Sequence, residues 1–510
     1  MKVSSLKLFM AAAIATFAVA ESSAQLELGQ DCGCPPLNAR TTVNLSTLTS
    51  DANFNLPVGN TTLTCNNTYV IDEKIYVQDG ADLFIQPGTV LRGAFGLTVD
   101  ANALIVSRGG QLWANGTDCC PIIFTDANDP LDGSYSINIR GQWGGIIMLG
   151  RATNNLLLAN GGAAVANGVG NIEGLVPGDS RNHYGGNDDN DNSGSLKYVS
   201  IRHGGTNIGA NNEINGLTLG SIGRGTKLEY IEVISNDDDG IEFFGGTVDL
   251  KHAVVMFCND DYFDWDQGYR GRGQFWYGVQ LPGASPQGDE GFESDGDDSN
   301  SGNTPFSDAK VYNVTLIGRG ANRAVEAREG TRGRISNSIF ANFAAGVDAA
   351  DEAARPVDTF DNWVAGTFVC TNNAYAGIAN IFTVNAAPAS AGNQATFAAA
   401  GNTAAPGIID FTFAINIATN AVTGALNPVP ANGTASSPEV APIDDFFEGA
   451  AYKGAFKPGA EPWTSGWTLS NLIPMDNSLN LCPEDINGDG MVNVDDFLQL
   501  IGVFNTSCGL

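Results

Sequence analysis

The chain has 510 residues, with 56 Asp and Glu against 25 Lys and Arg and a formal net charge of -31. So acidic a protein excludes nucleic acid and anionic membrane surfaces as partners, because both are held by basic patches. It suits cations, or a salty exterior.

At the start, Lys2 and Lys7 flank a short polar stretch, and Leu8 to Ala20 is apolar and followed by small residues. This pattern reads as a secretory signal over residues 1–24. The run is too short to span a bilayer, and no later segment reaches the ~18 uncharged apolar residues a span needs. An exported protein, soluble or attached to the surface, with no transmembrane segment is therefore expected. Export permits disulfides, and nine cysteines leave at least one thiol free or paired between chains. Cys32, Cys34 and Cys65 fall in an aperiodic stretch, residues 25–74, expected to be a disulfide-pinned cap. The neighbours Cys119 and Cys120 are expected to pair elsewhere than with each other, and Cys258 to be a small core residue.

Short β-rich segments then follow, separated by Gly-containing corners: Ile75-Tyr76-Val77, Leu83-Phe84-Ile85, Thr89-Val90-Leu91, Leu104-Ile105-Val106 and Trp143 to Leu149. Residues 154–192 and 281–306 break the rhythm with Gly, Asn, Asp and Ser, and are expected to be loops projecting from the body. Between them the chain repeats at an offset of 22: Leu228 falls on Leu250, Asp238 on Asp260, Asp239 on Asp261 and Glu242 on Asp264. Asp289, Glu290 and Glu293 form a third copy, and Ala324-Val325-Glu326 a fainter fourth. A fixed period of this size with short strands predicts a solenoid whose repeats bury their apolar faces against one another. Helical repeats need longer runs of 3.6 periodicity, and none is present.

The pattern resembles secreted right-handed β-helix proteins of the pectate-lyase-like superfamily. That resemblance is architectural and brings no catalytic motif. Beyond the coils, residues 346–480 turn rich in Ala and Gly and read as further coils or a cap. Within them the aromatics from Phe446 to Trp467 are dense enough to predict packing onto the body.

The C-terminal segment, 481–510, holds Asp485, Asn487 and Asp489 at loop positions one, three and five, then Gly490, the Met491 carbonyl at seven and Asp496 at twelve. These are the oxygen ligands of an EF-hand calcium loop. Cys482 and Cys508 bracket the motif and are the best intrachain disulfide, worth ~3 kcal/mol in the chain-entropy picture. The segment resembles a dockerin type I repeat. Dockerins carry two such repeats and this chain has one, which argues against a cohesin-like partner.

Stacking the repeats places Asp238, Asp260 and Asp289 in one column, Asp239, Asp261 and Glu290 beside it, and Glu242, Asp264 and Glu293 in another. Rungs ~4.8 Å apart bring like charges close enough to repel by about 1 kcal/mol in water and several-fold more if partly buried. A second calcium ion, an arginine (Arg270, Arg272 or Arg328) or outward splay would relieve this. The aromatics Trp265, Tyr269, Trp276 and Tyr277 read either as interior stacking or as a glycan-binding platform. For catalysis, Arg202-His203-Gly204 precedes Asp237-Asp238-Asp239, the wrong order for a polygalacturonase, and Arg334-Ile335-Ser336 lacks the lysine that such enzymes carry.

The expected fold class is all-β: a right-handed parallel β-helix solenoid over 75–345 with a small EF-hand-like calcium module. The expected function is calcium-dependent binding, adhesion or structure at the cell exterior, towards polysaccharide or a cell-surface glycan. The alternative is a calcium-dependent polysaccharide lyase or a glycoside hydrolase.

Overall fold

The computed structural model describes residues 29–469 apart from 98–100, 157–167, 173–174, 177, 208–213, 283–287, 417–418, 425 and 432. The signal segment 1–24, the calcium loop at 485–496 and the Cys482–Cys508 pair lie outside the described residues.

Strands recur coil after coil and pair in parallel with their successors. One face of the solenoid is a sheet whose strands follow chain order, from Lys74–Val77 through Ile146–Leu149, Leu217–Gly220, Ile241–Phe244, Phe263–Asp266 and Phe292–Ser294 to Asn380–Val384. The larger sheet wraps the other faces, because its longest strands bend. In Gly194–Arg202, Lys227–Ile234 and Asp249–Met256 the register skips Tyr198, Tyr230 and His252. These residues have φ of 50°, 55° and 59°. Left-handed backbone is rare for large side chains, and here the corner is compensated by stacking. Ring centroids are 4.4 Å apart for Tyr198 and Tyr230, 4.2 Å for Tyr230 and His252, and 5.0 Å for His252 and Phe275. The corner column continues as Asn313, Asn337 and Asn372, whose short side chains tolerate that backbone.

Alternation of apolar and polar residues turns one side of each strand into a continuous core. Leu217, Ile241, Phe263, Phe292 and Val325 are all buried in it. Glycines let the coils close: a Cβ on Gly240 would come within 2.2 Å of Val255 and 2.8 Å of the Tyr262 carbonyl.

Coiling starts earlier and ends later than the expected 75–345. Thr41–Asn44 already pairs in parallel with Asn67–Val70, and the last parallel rung is Ala374–Tyr375 with Thr403–Ala404. The helix Ala391–Ala399 then closes that end, Phe397 stacking 4.6 Å from Phe382. At the other end, disulfides Cys32–Cys120 and Cys34–Cys65 pin the cap, and Cys258 is buried with a free thiol.

Residues 437–469 run back along the corner column as a strap. Asn372 and Asn337 donate to Glu439, Asn313 donates to the Tyr452 carbonyl, and Gln274 exchanges two hydrogen bonds with the Glu448 backbone. Trp463 packs edge-on to His252 and Trp467 to Tyr198, and the Leu469 N–H donates to buried Glu232. The aromatics expected to pack onto the body do so here.

Candidate metal centre

The strand Ile241–Phe244 points Ile241 and Phe243 into the core, so Glu242 faces outward. The in-register stack makes a row of that position: Thr218, Glu242, Asp264, Glu293, Glu326 and Asp348. The expected column of Glu242, Asp264 and Glu293 is therefore real, and it is two carboxylates longer.

Just before each strand a second row caps the turns. Asp239 accepts from the Asp261 N–H at 2.8 Å, Asp261 from that of Glu290, and Glu290 from that of Arg323. Each acid thus satisfies an orphan donor of the next coil, which explains why a buried acid recurs there. Asp238, Asp260 and Asp289 form the outermost row: Asp260 and Asp289 are exposed and adjacent, the Asp289 N–H donating to the Asp260 carbonyl.

Charge compensation divides the rows in two. Arg323 contacts Glu290 at 2.5 Å, Glu326 at 3.1 Å and Asp348 at 3.6 Å. Arg328 contacts Glu293, Asp295 and Glu326. Of the arginines proposed as counter-charges, only Arg328 serves. Arg270 pairs with Asp189, and Arg272 with Asp249, Asp444 and Asp445, because both sit at the opposite corner of the coil.

Among the described residues no arginine or lysine makes an ion pair with Asp239, Glu242 or Asp264. Their carboxyls are pushed well above the usual carboxylate range. Burial is the main cause for each, and neighbouring carboxylates add to it: Asp238 and Asp261 for Asp239, Asp264 and Asp266 for Glu242, Asp266 and Asp261 for Asp264. Carboxylate oxygens of these three residues lie within 4.8 Å of one another, as do those of Asp238, Asp239 and Asp260, so Asp239 belongs to both groups.

Acceptors without donors surround the inner group. Asp264 Oδ1, Asn215 Oδ1 and Thr218 Oγ1 are buried with no hydrogen-bond partner among the described residues, while Asn215 Nδ2 donates to Glu242. An orphaned buried acceptor is costly unless something supplies positive charge. An all-oxygen donor set of carboxylates and an amide fits a hard cation such as calcium, and not zinc or copper.

Asn215 and Arg323 escaped the sequence reading. A signal for both existed: Leu217-Thr218-Leu219 aligns with Ile241-Glu242-Phe243 at an offset of 24, and Arg323 stands three residues before Glu326 in the fourth copy.

The expected glycan platform is corrected. Trp265, Tyr269 and Trp276 are 1% exposed or less and stack inside the core, Phe243 lying 4.3 Å from Tyr269 and 6.0 Å from Trp276. Tyr277 is 3% exposed beneath Phe456 of the strap. None offers a face to a sugar, because three point into the core of the coil and Tyr277 lies under the strap.

Residues 56–412 match the family of pectate-lyase-like β-helix domains. The chain belongs to that family. The crystal structure of pectate lyase Pel9A is similar over 75% of this chain and 89% of that chain, at 11% identity and a TM-score of 0.31. So distant a similarity bears on nothing at the site. Among curated proteins no sequence matches. The β-helix family places this protein among folds associated with polysaccharides, and among the described residues no helix is long and apolar enough to cross a membrane.

Proposed function

We propose that this is an exported, calcium-binding β-helix protein that engages polysaccharide at the cell exterior without cleaving it. The observation that carries the reading is the carboxylate group of Asp239, Glu242 and Asp264, none of which makes an ion pair among the described residues, with the buried Asp264 Oδ1 and neighbouring Asn215 Oδ1 left without hydrogen-bond partners there. These residues would hold one cation, with Asp238 and Asp260 above them nearer to solvent. A second ion belongs to the terminal loop, with Asp485, Asn487, Asp489, the Met491 carbonyl and Asp496 as ligands.

A lyase needs a basic group able to take a proton beside the metal. The guanidinium groups of Arg323 and Arg328, on the coils that follow, are each clasped by three acids, which favours their protonated form. A hydrolase reading draws on the Glu242 and Asp264 pair, since paired carboxyls cleave glycosidic bonds. Glu242 is only 8% exposed, too enclosed for a sugar to reach.

A glycan array with and without chelator tests the binding. Retention of acidic glycans only with calcium is the expected result. Release of unsaturated uronate, seen by ultraviolet absorbance, or of reducing ends, lost in Asp260→Ala, would make the protein an enzyme and overturn the reading.

A further inference from the structure

The disulfide Cys32–Cys120 has a third sulfur beside it. Cys119 is exposed and carries a free thiol, and the sulfurs of Cys32, Cys119 and Cys120 all lie within 4.8 Å of one another. The Thr117 hydroxyl stands between them, 3.4 Å from Cys119 Sγ and 4.0 Å from Cys32 Sγ. Its oxygen accepts from the Cys120 N–H at 3.1 Å, which leaves the hydroxyl hydrogen to donate to sulfur.

We propose that Cys32 is shared between two adjacent cysteines, so that the amino-terminal clamp is an exchangeable disulfide with Cys119 as its attacking thiol. Cys119 gives its proton to water or buffer, and the thiolate attacks Cys32 Sγ. The Cys32–Cys119 bond forms as Cys32–Cys120 breaks, and the electron pair leaves on Cys120 Sγ, which takes up a proton. Nothing is oxidised or reduced overall, so no co-reactant is required.

The direction of attack follows from exposure and ring size. Cys32 is exposed, whereas Cys120 is fully buried. A bond between Cys119 and Cys120 would close a ring across a single peptide unit and force it out of its planar trans form. The leaving thiol at Cys120 is shielded from water, which disfavours its thiolate and makes Cys32–Cys120 the resting pair. In both forms the cap stays tied to the turn that ends in Cys120. What exchange moves is the free thiol, from the surface to the interior, so the reactive position of the protein depends on the state of its own clamp.

Disulfide mapping of the full-length protein tests this without any reductant. Wild-type protein is incubated at pH 6.5 and at pH 8.5, quenched in acid, digested at low pH and mapped by mass spectrometry. The expected result is 32–120 alone at first, with 32–119 appearing faster at pH 8.5 than at pH 6.5, because the thiolate is the attacking species. Cys119→Ser should hold 32–120 under all conditions, and Cys120→Ser should carry 32–119 with no alkylatable thiol at either position. A wild-type map that retains 32–120 alone after prolonged incubation at pH 8.5 overturns the proposal, whether or not Cys120→Ser folds. So does a folded Cys120→Ser in which Cys32 and Cys119 both react with iodoacetamide.

Discussion

Glu242 and Asp264 stand in register on adjacent coils, and their carboxyl oxygens lie within 4.8 Å of one another. Burial and neighbouring carboxylates raise both groups well above the usual carboxylate range, so the pair holds a proton rather than ionising fully. A cation would displace that proton and take both oxygens. Asp264→Asn should therefore remove the calcium response while leaving stability in chelator unchanged or higher, because one repulsion is gone. Deleting residues 481–510 in both proteins isolates this site from the terminal loop. At 100 times its dissociation constant, calcium should add about 2.7 kcal/mol to the truncated parent. Thermal melts in chelator and in calcium measure it, and a truncated parent indifferent to calcium would sink the metal centre.

In chelator, stability should fall as pH rises from about 5 to 8. Glu326 and Glu329 are pushed up to about 7, chiefly by burial, and burial also raises Asp239, Glu242 and Asp264 well above the usual carboxylate range. An acid whose folded pKa is raised keeps a proton that the unfolded chain has released. Its contribution is complete below the unfolded value near 4.5 and is lost as pH passes the folded one. Carboxyls held low, such as Asp179 beside Arg181, act below this window and do not cancel it. Calcium should flatten the slope. The melting temperature across that pH range, with and without calcium, decides it.

Arg323 donates through Nε and Nη2 to Glu290, which is 2% exposed. Arg323→Ala leaves that carboxylate buried and uncompensated, at a cost of about 3–5 kcal/mol. Urea denaturation should show the loss, and a change under 1 kcal/mol would mean that the acid row is solvated.

Trp467, 2% exposed, holds the strap against Tyr198 and Tyr230. Trp467→Ala should cost about 3 kcal/mol and make residues 437–469 cleavable by chymotrypsin while the coils stay intact. Limited proteolysis read by mass spectrometry checks this.

An oxidised peptide of residues 481–510 should gain helix on adding calcium, and Asp485→Ala or Asp489→Ala should abolish the gain by removing a ligand oxygen. Circular dichroism unchanged up to millimolar calcium would remove the terminal site.

In a parallel, in-register stack a sequence offset is a spatial neighbour, so the chain alone determined much of this. The offset of 22 put Glu242 beside Asp264 and Leu228 beside Leu250, and both pairs are in register. The same rule carried Asp264 to Glu293 across a long insertion, because an insertion loops out of the coil without shifting the strand that follows. What it could not supply were contacts made across the coil or by returning chain. Arg272 and Asp264 lie eight residues apart in sequence yet face opposite corners, so their opposite charges never meet. Trp265 and Trp276 read equally well as a platform or as core until the alternation of each strand was assigned a side. The strap joins Leu469 to Glu232 and Tyr452 to Asn313. These pairings follow no period, since they depend on where loops of unequal length deliver a side chain, and only the folded chain decides that.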